Sequence, residues 1–120
     1  MKLVFTTSGC NLDSQLEPLF GRAAYFLLYD SQTQTFDLLS NQQNLDSPQG
    51  AGIQAAQSII KAGAEALITG HCGPKAFRVL TMAGIQVYNT NIETVKAALD
   101  AYLSGKLVQA TSANPEGLRS

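Results

Sequence analysis

The chain has 120 residues and an apolar fraction of 45%, so it is long enough for one compact domain and too short for two. Eight basic and nine acidic residues give a net charge of −1, which argues against the positive field expected of a protein that binds nucleic acid or an anionic membrane. The N-terminus, MKLVFTTSGC, has an apolar run too short for a secretory signal or a membrane span, and we expect a cytoplasmic protein. Two cysteines, Cys10 and Cys72, are too few for a disulfide framework or a four-thiolate metal site.

The first half of the chain predicts three strands followed by a helix. Runs rich in β-branched and aromatic residues indicate strands at Lys2–Thr7, Ala24–Tyr29 and Thr35–Leu39. The short polar joint between the second and third runs is typical of an antiparallel hairpin. The apolar period then changes, and a helix is predicted from Gly50 to Ala62, with Ile53, Ala56 and Ile60 on one face and Gly63 at its end.

The second half alternates strands and helices. Strands are predicted at Ala66–Thr69 and Ile85–Tyr88. Between them, a helix that begins at Pro74 and stops at Gly84 is expected to bury Phe77 and Leu80. A capping box at Thr90–Glu93 precedes a last helix that ends at Gly105. The apolar stripe of that helix is Val95, Ala98, Leu99 and Tyr102. We assign 1–110 to the domain and 111–120 to a flexible tail.

This order of elements predicts a single α/β domain with right-handed crossover connections. In such sheets small molecules bind beyond the carboxyl ends of the parallel strands, where the loops that follow Thr7, Thr69 and Tyr88 should meet. If the first strand lies beside Ala66–Thr69, Cys10 and Cys72 border one crevice.

The segment GHCGPKAF, from Gly70 to Phe77, predicts an anion site, because a turn that feeds a helix exposes unpaired N–H groups at the positive end of the helix dipole. Gly70 and Gly73 permit a close approach of a ligand, and Lys75 adds a positive charge. A Cys72 thiolate would be stabilised there, and Cys72 and His71 are the best candidates for direct metal ligation, although two ligands do not complete a metal site. The spacing excludes a Walker-type loop. The alternative is an ordinary turn with a half-buried Cys72 and a solvated His71; a Cys–His catalytic pair is disfavoured because sequence neighbours point apart.

A second group of interest is Phe20-Gly21-Arg22, at the entrance to a strand. Arg22 is suited to clamp an anion. The alternative is a surface arginine paired with Glu17 or Asp13.

Several motifs in the same order resemble the dinitrogenase iron-molybdenum cofactor biosynthesis family. They are Pro18-Leu-Phe-Gly-Arg22, Gly50-Ala-Gly52, Ile68-Thr-Gly70, Gly73-Pro-Lys-Ala-Phe77 and Ala83-Gly-Ile-Gln-Val-Tyr88, and the likeness spans about Lys2 to Leu107. The resemblance implies a ribonuclease H-like mixed five-stranded sheet with helices on both faces. A stand-alone domain of this size is most similar to the orange-protein branch, whose members hold a molybdenum-copper sulfide cluster non-covalently.

The resemblance implies a non-enzymatic carrier of such a cluster, or of a related iron-molybdenum sulfur cluster, at the turn 70–75. Arg22 and Lys75 would balance its charge and the amides of Gly70–Gly73 would bind its sulfides. The apolar wall would be Phe20, Ile53 and Phe77. Cys10 and Cys72 would shield the cluster or exchange with its metals.

The segment Asn44–Gly50 lacks the histidines that many family members carry there, so we expect hydrogen bonds rather than metal ligands from Asn44, Asp46 and Gln49. The expected partners are cytoplasmic proteins that deliver or accept the cluster. The alternative function is a regulatory or scaffolding module without a cluster, which binds proteins through the edge strand Thr35–Leu39 or the last helix.

Overall fold

A computed structural model describes residues 1–42 and 51–110. The expected tail 111–120 and the segment Asn44–Gly50 lie outside the described residues. In the described part, no helix has the length and apolar character needed to cross a membrane.

The five strands and the first two helices are confirmed to within one or two residues of their predicted bounds, whereas the last helix begins later than the predicted capping box implies. The strands are β1 Lys2–Thr7, β2 Tyr25–Asp30, β3 Thr35–Ser40, β4 Ala66–Thr69 and β5 Gln86–Asn89. The helices are α1 Ala51–Lys61, α2 Pro74–Met82 and α3 Val95–Leu103, with a short 3₁₀ helix at Phe20–Arg22.

The strands form one mixed five-stranded sheet in the order β3-β2-β1-β4-β5. The β2–β3 hairpin is antiparallel, as predicted, and β1 is antiparallel to β2. β4 lies parallel to both β1 and β5, so the expected adjacency of the first strand and Ala66–Thr69 is confirmed. The carboxyl ends of β1, β4 and β5 therefore meet at one edge of the sheet.

The side chains of the central strands alternate between two cores, one on each face of the sheet. On one face, Val4 and Leu67 belong to the core that includes residues of α1 and α2. On the other, Phe5 and Ile68 belong to the core of α3. The helix residues buried in the two cores are Ala55, Ala56 and Ile59 of α1, Ala76 and Leu80 of α2, and Val95, Ala98 and Leu99 of α3. The stripe predicted for α3 is thus confirmed, with Tyr102 half-buried.

Two predicted faces need correction. In α1 the buried side chains centre on Ala56 and Ile59, while Ile53 and Ile60 are half-buried at the borders of that face. In α2, Leu80 is buried as expected but Phe77 is half-buried. The apolar pattern identified each helix. The rotation of α1 or α2 about its own axis depends on how the two helices pack against each other and the sheet.

The predicted capping box at Thr90–Glu93 is wrong. Thr94 is the N-cap of α3, and its Oγ1 accepts a hydrogen bond from the Ala97 N–H at 3.2 Å. Thr90 instead closes a local turn, in which its hydroxyl oxygen accepts from the Ile92 N–H. Both threonine side chains are able to cap a helix N-terminus. Thr94 is the residue used, because the loop after β1 packs over the start of the helix. The helix stops are correct: Gly63, Gly84 and Gly105 all have positive φ.

Candidate functional site

The carboxyl edge of the sheet is covered by the loop that follows β1. The hydroxyl of Thr6, at 0% exposure, hydrogen-bonds the Glu17 carbonyl at 2.7 Å and lies 2.9 Å from the hydroxyl of Thr69. The Glu17 N–H in turn donates a hydrogen bond to the Thr6 carbonyl at 2.8 Å. These bonds fix the loop across the ends of β1 and β4.

The Gly70–Gly73 turn is held against the same loop. The His71 N–H donates to the Pro18 carbonyl at 2.6 Å, and the Phe20 N–H donates to the His71 carbonyl at 3.0 Å. A Cβ at Gly70 would lie only 2.5 Å from the Pro18 carbonyl oxygen and 2.8 Å from its Cα. Gly70 is therefore required for close backbone packing, which leaves the turn rigidly placed at the strand ends.

Cys72 belongs to the core. Its side chain is 1% exposed and belongs to the α1–α2 core with Phe20 and Ala23. Burial raises the pKa of the Cys72 thiol to about 12, so the thiol is neutral near pH 7. The expected stabilised thiolate is wrong, because the apolar surroundings outweigh the helix dipole. Cys10 is exposed in the loop after β1, so one of the two cysteines expected to border a common crevice faces solvent and the other lies in the core.

His71 points away from Cys72, as expected of neighbours in an extended segment. Its side chain is half-buried and lines a cavity on the α3 side of the turn. The Nδ1 atom is buried and has no hydrogen-bond partner among residues 1–42 and 51–110. The two residues thus serve different faces of the sheet and form no catalytic pair.

The predicted binding residues Phe20, Gly73 and Lys75 come together, with Ile53, in a cavity of about 170 Å³ between the 3₁₀ helix, α1 and α2. We call it the Gly73 cleft. Its lining consists of Phe20, Gly21, Gly52, Ile53, Gly73, Pro74, Lys75 and Ala76. Gly70, His71, Cys72, Cys10 and Phe77 are not part of it. Sequence reasoning missed the roles of Gly21 and Gly52, although both stand inside the motifs that carry the family resemblance.

The start of α2 gives the Gly73 cleft a positive character. Its N-cap, Gly73, supplies no side-chain hydrogen bond, and no acidic residue lies in the first turn. The N–H groups of Lys75 and Ala76 have no hydrogen-bond partner in residues 1–42 and 51–110. The unpaired N–H groups, the helix dipole and the Lys75 ammonium all favour an anion.

The start of α3 provides the contrast within the same chain. The Val95 N–H donates to the Ser14 carbonyl at 3.0 Å, and the Lys96 N–H donates to the Leu12 carbonyl at 2.8 Å. The third N–H group, that of Ala97, donates to the Thr94 hydroxyl oxygen. The first N–H groups of α3 are thus paired within the protein, whereas those of Lys75 and Ala76 in α2 have no partner among the described residues.

Arg22 is the last residue of the 3₁₀ helix that contributes Phe20 and Gly21 to the cleft. It is exposed and makes no ion pair with another described residue. The Glu17 carboxylate, its suggested surface partner, instead accepts the Leu19 N–H at 3.2 Å. Arg22 itself is not among the residues that line the cleft.

Direct metal ligation finds little support in the described part of the chain. No three residues among its histidines, cysteines, aspartates and glutamates are grouped so as to hold a metal ion. Cys72 is neutral and buried, and His71 is on the other side of the turn. The donors of the Gly73 cleft suit an anion held by hydrogen bonds and charge.

A second cavity, the His71 pocket, lies on the α3 side of the turn. It has a volume of about 300 Å³, and its lining includes Gln15, Leu16, His71, Asn91, Ile92 and Glu93. It adjoins a wider cavity of about 620 Å³ that reaches Lys106 and Leu107. The loops predicted to meet beyond the carboxyl ends of the strands, those that follow Thr7, Thr69 and Tyr88, do meet in the His71 pocket, although only Gly70 and His71 of its lining were predicted as site residues.

Comparison with known proteins places this arrangement in a family. The structure of the apo orange protein from Desulfovibrio gigas is 39% identical to the chain, has a TM-score of 0.90, and is matched over 94% of this chain and 95% of that one. An NMR structure of a Thermotoga protein described as NifB-like is 32% identical, with a TM-score of 0.85 and coverage of 97% and 98%. A protein of Methanocaldococcus jannaschii is 29% identical over 98 residues, which are 79% of this chain and 82% of that protein. The family model for the dinitrogenase iron-molybdenum cofactor matches residues 1–105. The chain therefore belongs to the dinitrogenase iron-molybdenum cofactor family.

Proposed function

We propose that this protein is a non-enzymatic carrier of an anionic metal-sulfide cluster, of the molybdenum-copper or a related iron-molybdenum type, which binds non-covalently in the Gly73 cleft. The observation that carries the proposal is the start of α2. Its N–H groups at Lys75 and Ala76 have no described partner, and the described residues that line the cleft include a lysine and no carboxylate. Membership of the dinitrogenase iron-molybdenum cofactor family supports a metal-sulfur cluster as that anion.

Each part of the cleft has a physical role in this proposal. The N–H groups of Lys75 and Ala76 donate to sulfides, which are soft acceptors. Lys75 and Arg22 compensate the negative charge. Phe20 and Ile53 form an apolar wall that excludes water and strengthens these interactions.

The glycines of the cleft keep space for a bulky polyatomic anion. A Cβ at Gly73 would meet no atom within 4 Å, so the room in front of α2 is open. Gly70 and the backbone of His71 hold the turn in place through Pro18. In this account Cys72 contributes packing, and Cys10 is the one exposed thiol of the described residues that can exchange with metals during delivery. The partners would be cytoplasmic proteins that deliver or accept the cluster.

Cluster uptake tests the proposal. Purified protein is titrated anaerobically with tetrathiomolybdate and Cu(I), and the charge-transfer bands and the melting temperature are followed. Binding to the folded state alone raises the melting temperature. The double variant Arg22→Ala/Lys75→Ala should bind about 25-fold more weakly, because an exposed charge contributes about 1 kcal/mol, or roughly 5-fold.

The matched control is Arg78→Ala/Lys96→Ala, which also removes one arginine and one lysine, but from exposed positions outside the cleft. It should bind as the native protein does. Equal losses in both double variants would show that only net charge matters, and the proposed site would be wrong.

A second candidate is the scaffolding module, favoured by the exposed edge strand β3. Phe36 and Leu38 are 37% and 39% exposed there, and β3 pairs with β2 on one side only. An open edge with apolar side chains is suited to strand addition by a partner. A protein partner retained by Arg22→Ala/Lys75→Ala but lost on Phe36→Lys would support this function.

A further inference from the structure

The outer edge of β3 carries backbone groups whose directions follow from the register of the β2–β3 hairpin. At the end of this ladder, the Asn41 N–H donates at 2.9 Å to the carbonyl of Ala24, the residue that the register places opposite it. Hydrogen-bonded pairs alternate along an antiparallel ladder, so Asp37 also bonds to β2. Its neighbours Phe36 and Leu38 therefore turn their N–H and carbonyl groups outward. Within residues 1–42 and 51–110 these groups have no hydrogen-bond partner.

The side chains beside these outward groups form an apolar border. Phe36 lies opposite Tyr29, and Leu38 lies opposite Leu27. Both partners belong to the core on the α3 face of the sheet, and opposite residues of a ladder project to the same face. Phe36 and Leu38 are exposed. A strand added to this edge would bury their side chains and pair their backbone groups at the same time.

The other face of the edge is negative. Asp37 is the one charged residue of β3 and is exposed. Its neighbours in β2 on that face include Leu28, directly opposite, and Asp30, on the diagonal. Lys2 pairs with Asp30 from β1, but its ammonium nitrogen is directed to the end of α1, 3.8 Å from the position of a Cβ at Gly63. The ladder thus places a second carboxylate, and not a cation, beside Asp37.

A second copy of the chain is a poor occupant of this edge. When two β3 strands pair antiparallel through Phe36 and Leu38 of both copies, the two Asp37 residues face each other. They form a non-hydrogen-bonded pair, in which the Cα atoms are about 4.5 Å apart. Like charges directly opposite each other destabilise a sheet, and charge on an edge strand protects against self-association. A lysine or arginine at the facing position turns the repulsion into attraction.

We propose that the β3 edge binds an extended segment of another protein as an additional antiparallel strand. The segment has apolar residues at the two positions that pair with Phe36 and Leu38, and a lysine or arginine between them, opposite Asp37. Backbone hydrogen bonds supply affinity and the alternating side chains supply specificity. This inference rests on the scaffolding function and does not depend on a cluster in the Gly73 cleft.

The probe is the peptide acetyl-Thr-Val-Lys-Val-Thr-amide, and its matched control has glutamate in place of lysine. Each is titrated into uniformly ¹⁵N-labelled protein and followed by two-dimensional NMR. The lysine peptide should shift the amides of Phe36 and Leu38, with a Kd on the order of 1 mM. The glutamate peptide should bind roughly 5-fold more weakly, because its carboxylate faces Asp37.

N-methylation distinguishes strand addition from apolar adhesion. The two valines of the probe pair with Phe36 and Leu38, so methyl groups on both valine nitrogens should abolish binding. The N–H of the lysine faces away from β3. A methyl group on that nitrogen is the matched control and should leave the affinity within about 2-fold.

Asp37→Lys, at an exposed position, should reverse the preference so that the glutamate peptide binds more tightly. Asp100→Lys makes the same change of net charge at an exposed position on α3, and should keep the native preference. The proposal is wrong if the two peptides bind the native protein equally, if both variants behave alike, or if methylation of the valines has no effect. Shifts of Phe36 and Leu38 that depend on protein concentration alone would assign the edge to a second copy. A native partner lost on Phe36→Lys, without any difference between the peptides, would preserve the scaffolding function and refute the inferred partner.

Discussion

Two alanine substitutions in one turn, Gly70→Ala and Gly73→Ala, should differ sharply in their effect on stability. At Gly70 a new Cβ would lie 2.5 Å from the Pro18 carbonyl oxygen and 2.8 Å from its Cα, and backbone cannot yield as a flexible side chain does. At Gly73 a new Cβ meets nothing within 4 Å, and φ is −67°, a value that alanine adopts freely.

The size of the Gly70→Ala effect follows from the contacts that must break. To relieve the overlap, the turn has to move away from Pro18, which sacrifices the bonds of 2.6 Å and 3.0 Å made by the His71 N–H and the His71 carbonyl. Each bond contributes about 1 kcal/mol, and residual overpacking adds about 1–3 kcal/mol. We therefore expect a loss of about 3–5 kcal/mol, or a melting temperature lower by roughly 12 °C or more in a domain of this size.

Thermal and urea unfolding, followed by circular dichroism, measure both variants. Gly73→Ala should lose less than about 1 kcal/mol, the usual difference between glycine and alanine at a helix N-cap. If Gly70→Ala melts within about 4 °C of the native protein, or if the two variants are equally destabilised, the argument from close backbone packing is refuted.

Three further outcomes are expected. Gly73→Ala, although stable, should weaken cluster uptake, because its methyl group enters the Gly73 cleft; an unchanged titration with tetrathiomolybdate and Cu(I) would contradict this. Burial raises the pKa of the Cys72 thiol from its ordinary 9.0 to about 12. Above pH 9 the unfolded state therefore loses a proton that the folded state keeps, and the free energy of unfolding should fall by up to about 1.4 kcal/mol per pH unit from pH 9 to 12. Urea titrations over this range should show a shallower fall for the variant Cys72→Ala. Thr6→Val should cost about 1–3 kcal/mol, because it leaves the Glu17 carbonyl and the Thr69 hydroxyl without their partner; a neutral effect in chemical unfolding would mean that water replaces these bonds.

The fold was predictable because its signals are local. Each strand of the β2–β3 hairpin is an apolar run bounded by polar residues, and Gly63, Gly84 and Gly105 end the helices where a positive φ is needed. The order of strands and helices then left few topologies to consider. The choice between Thr90 and Thr94 as the N-cap of α3 was not local, because the chain near Ser14 supplies part of the cap.

The candidate site was predictable only in part. Three of the predicted site residues, Phe20, Gly73 and Lys75, do line one cleft, whereas the predicted role of Arg22 stays a prediction. The chemistry of His71 and Cys72 was not predicted correctly. Successive side chains in an extended segment point to opposite sides, so His71 lines a pocket whereas Cys72 lies in the core. The raised pKa of the Cys72 thiol was not predictable, because it depends on how deeply the folded chain buries that side chain.

Metal and sulfide analysis of protein isolated anaerobically from its native host would show whether the folded protein holds a metal-sulfide cluster. A visible spectrum is recorded on the same sample. We predict molybdenum or iron in stoichiometric amount with sulfide and charge-transfer bands. A colourless, metal-free protein that also fails to take up a cluster from tetrathiomolybdate and Cu(I) would contradict the account.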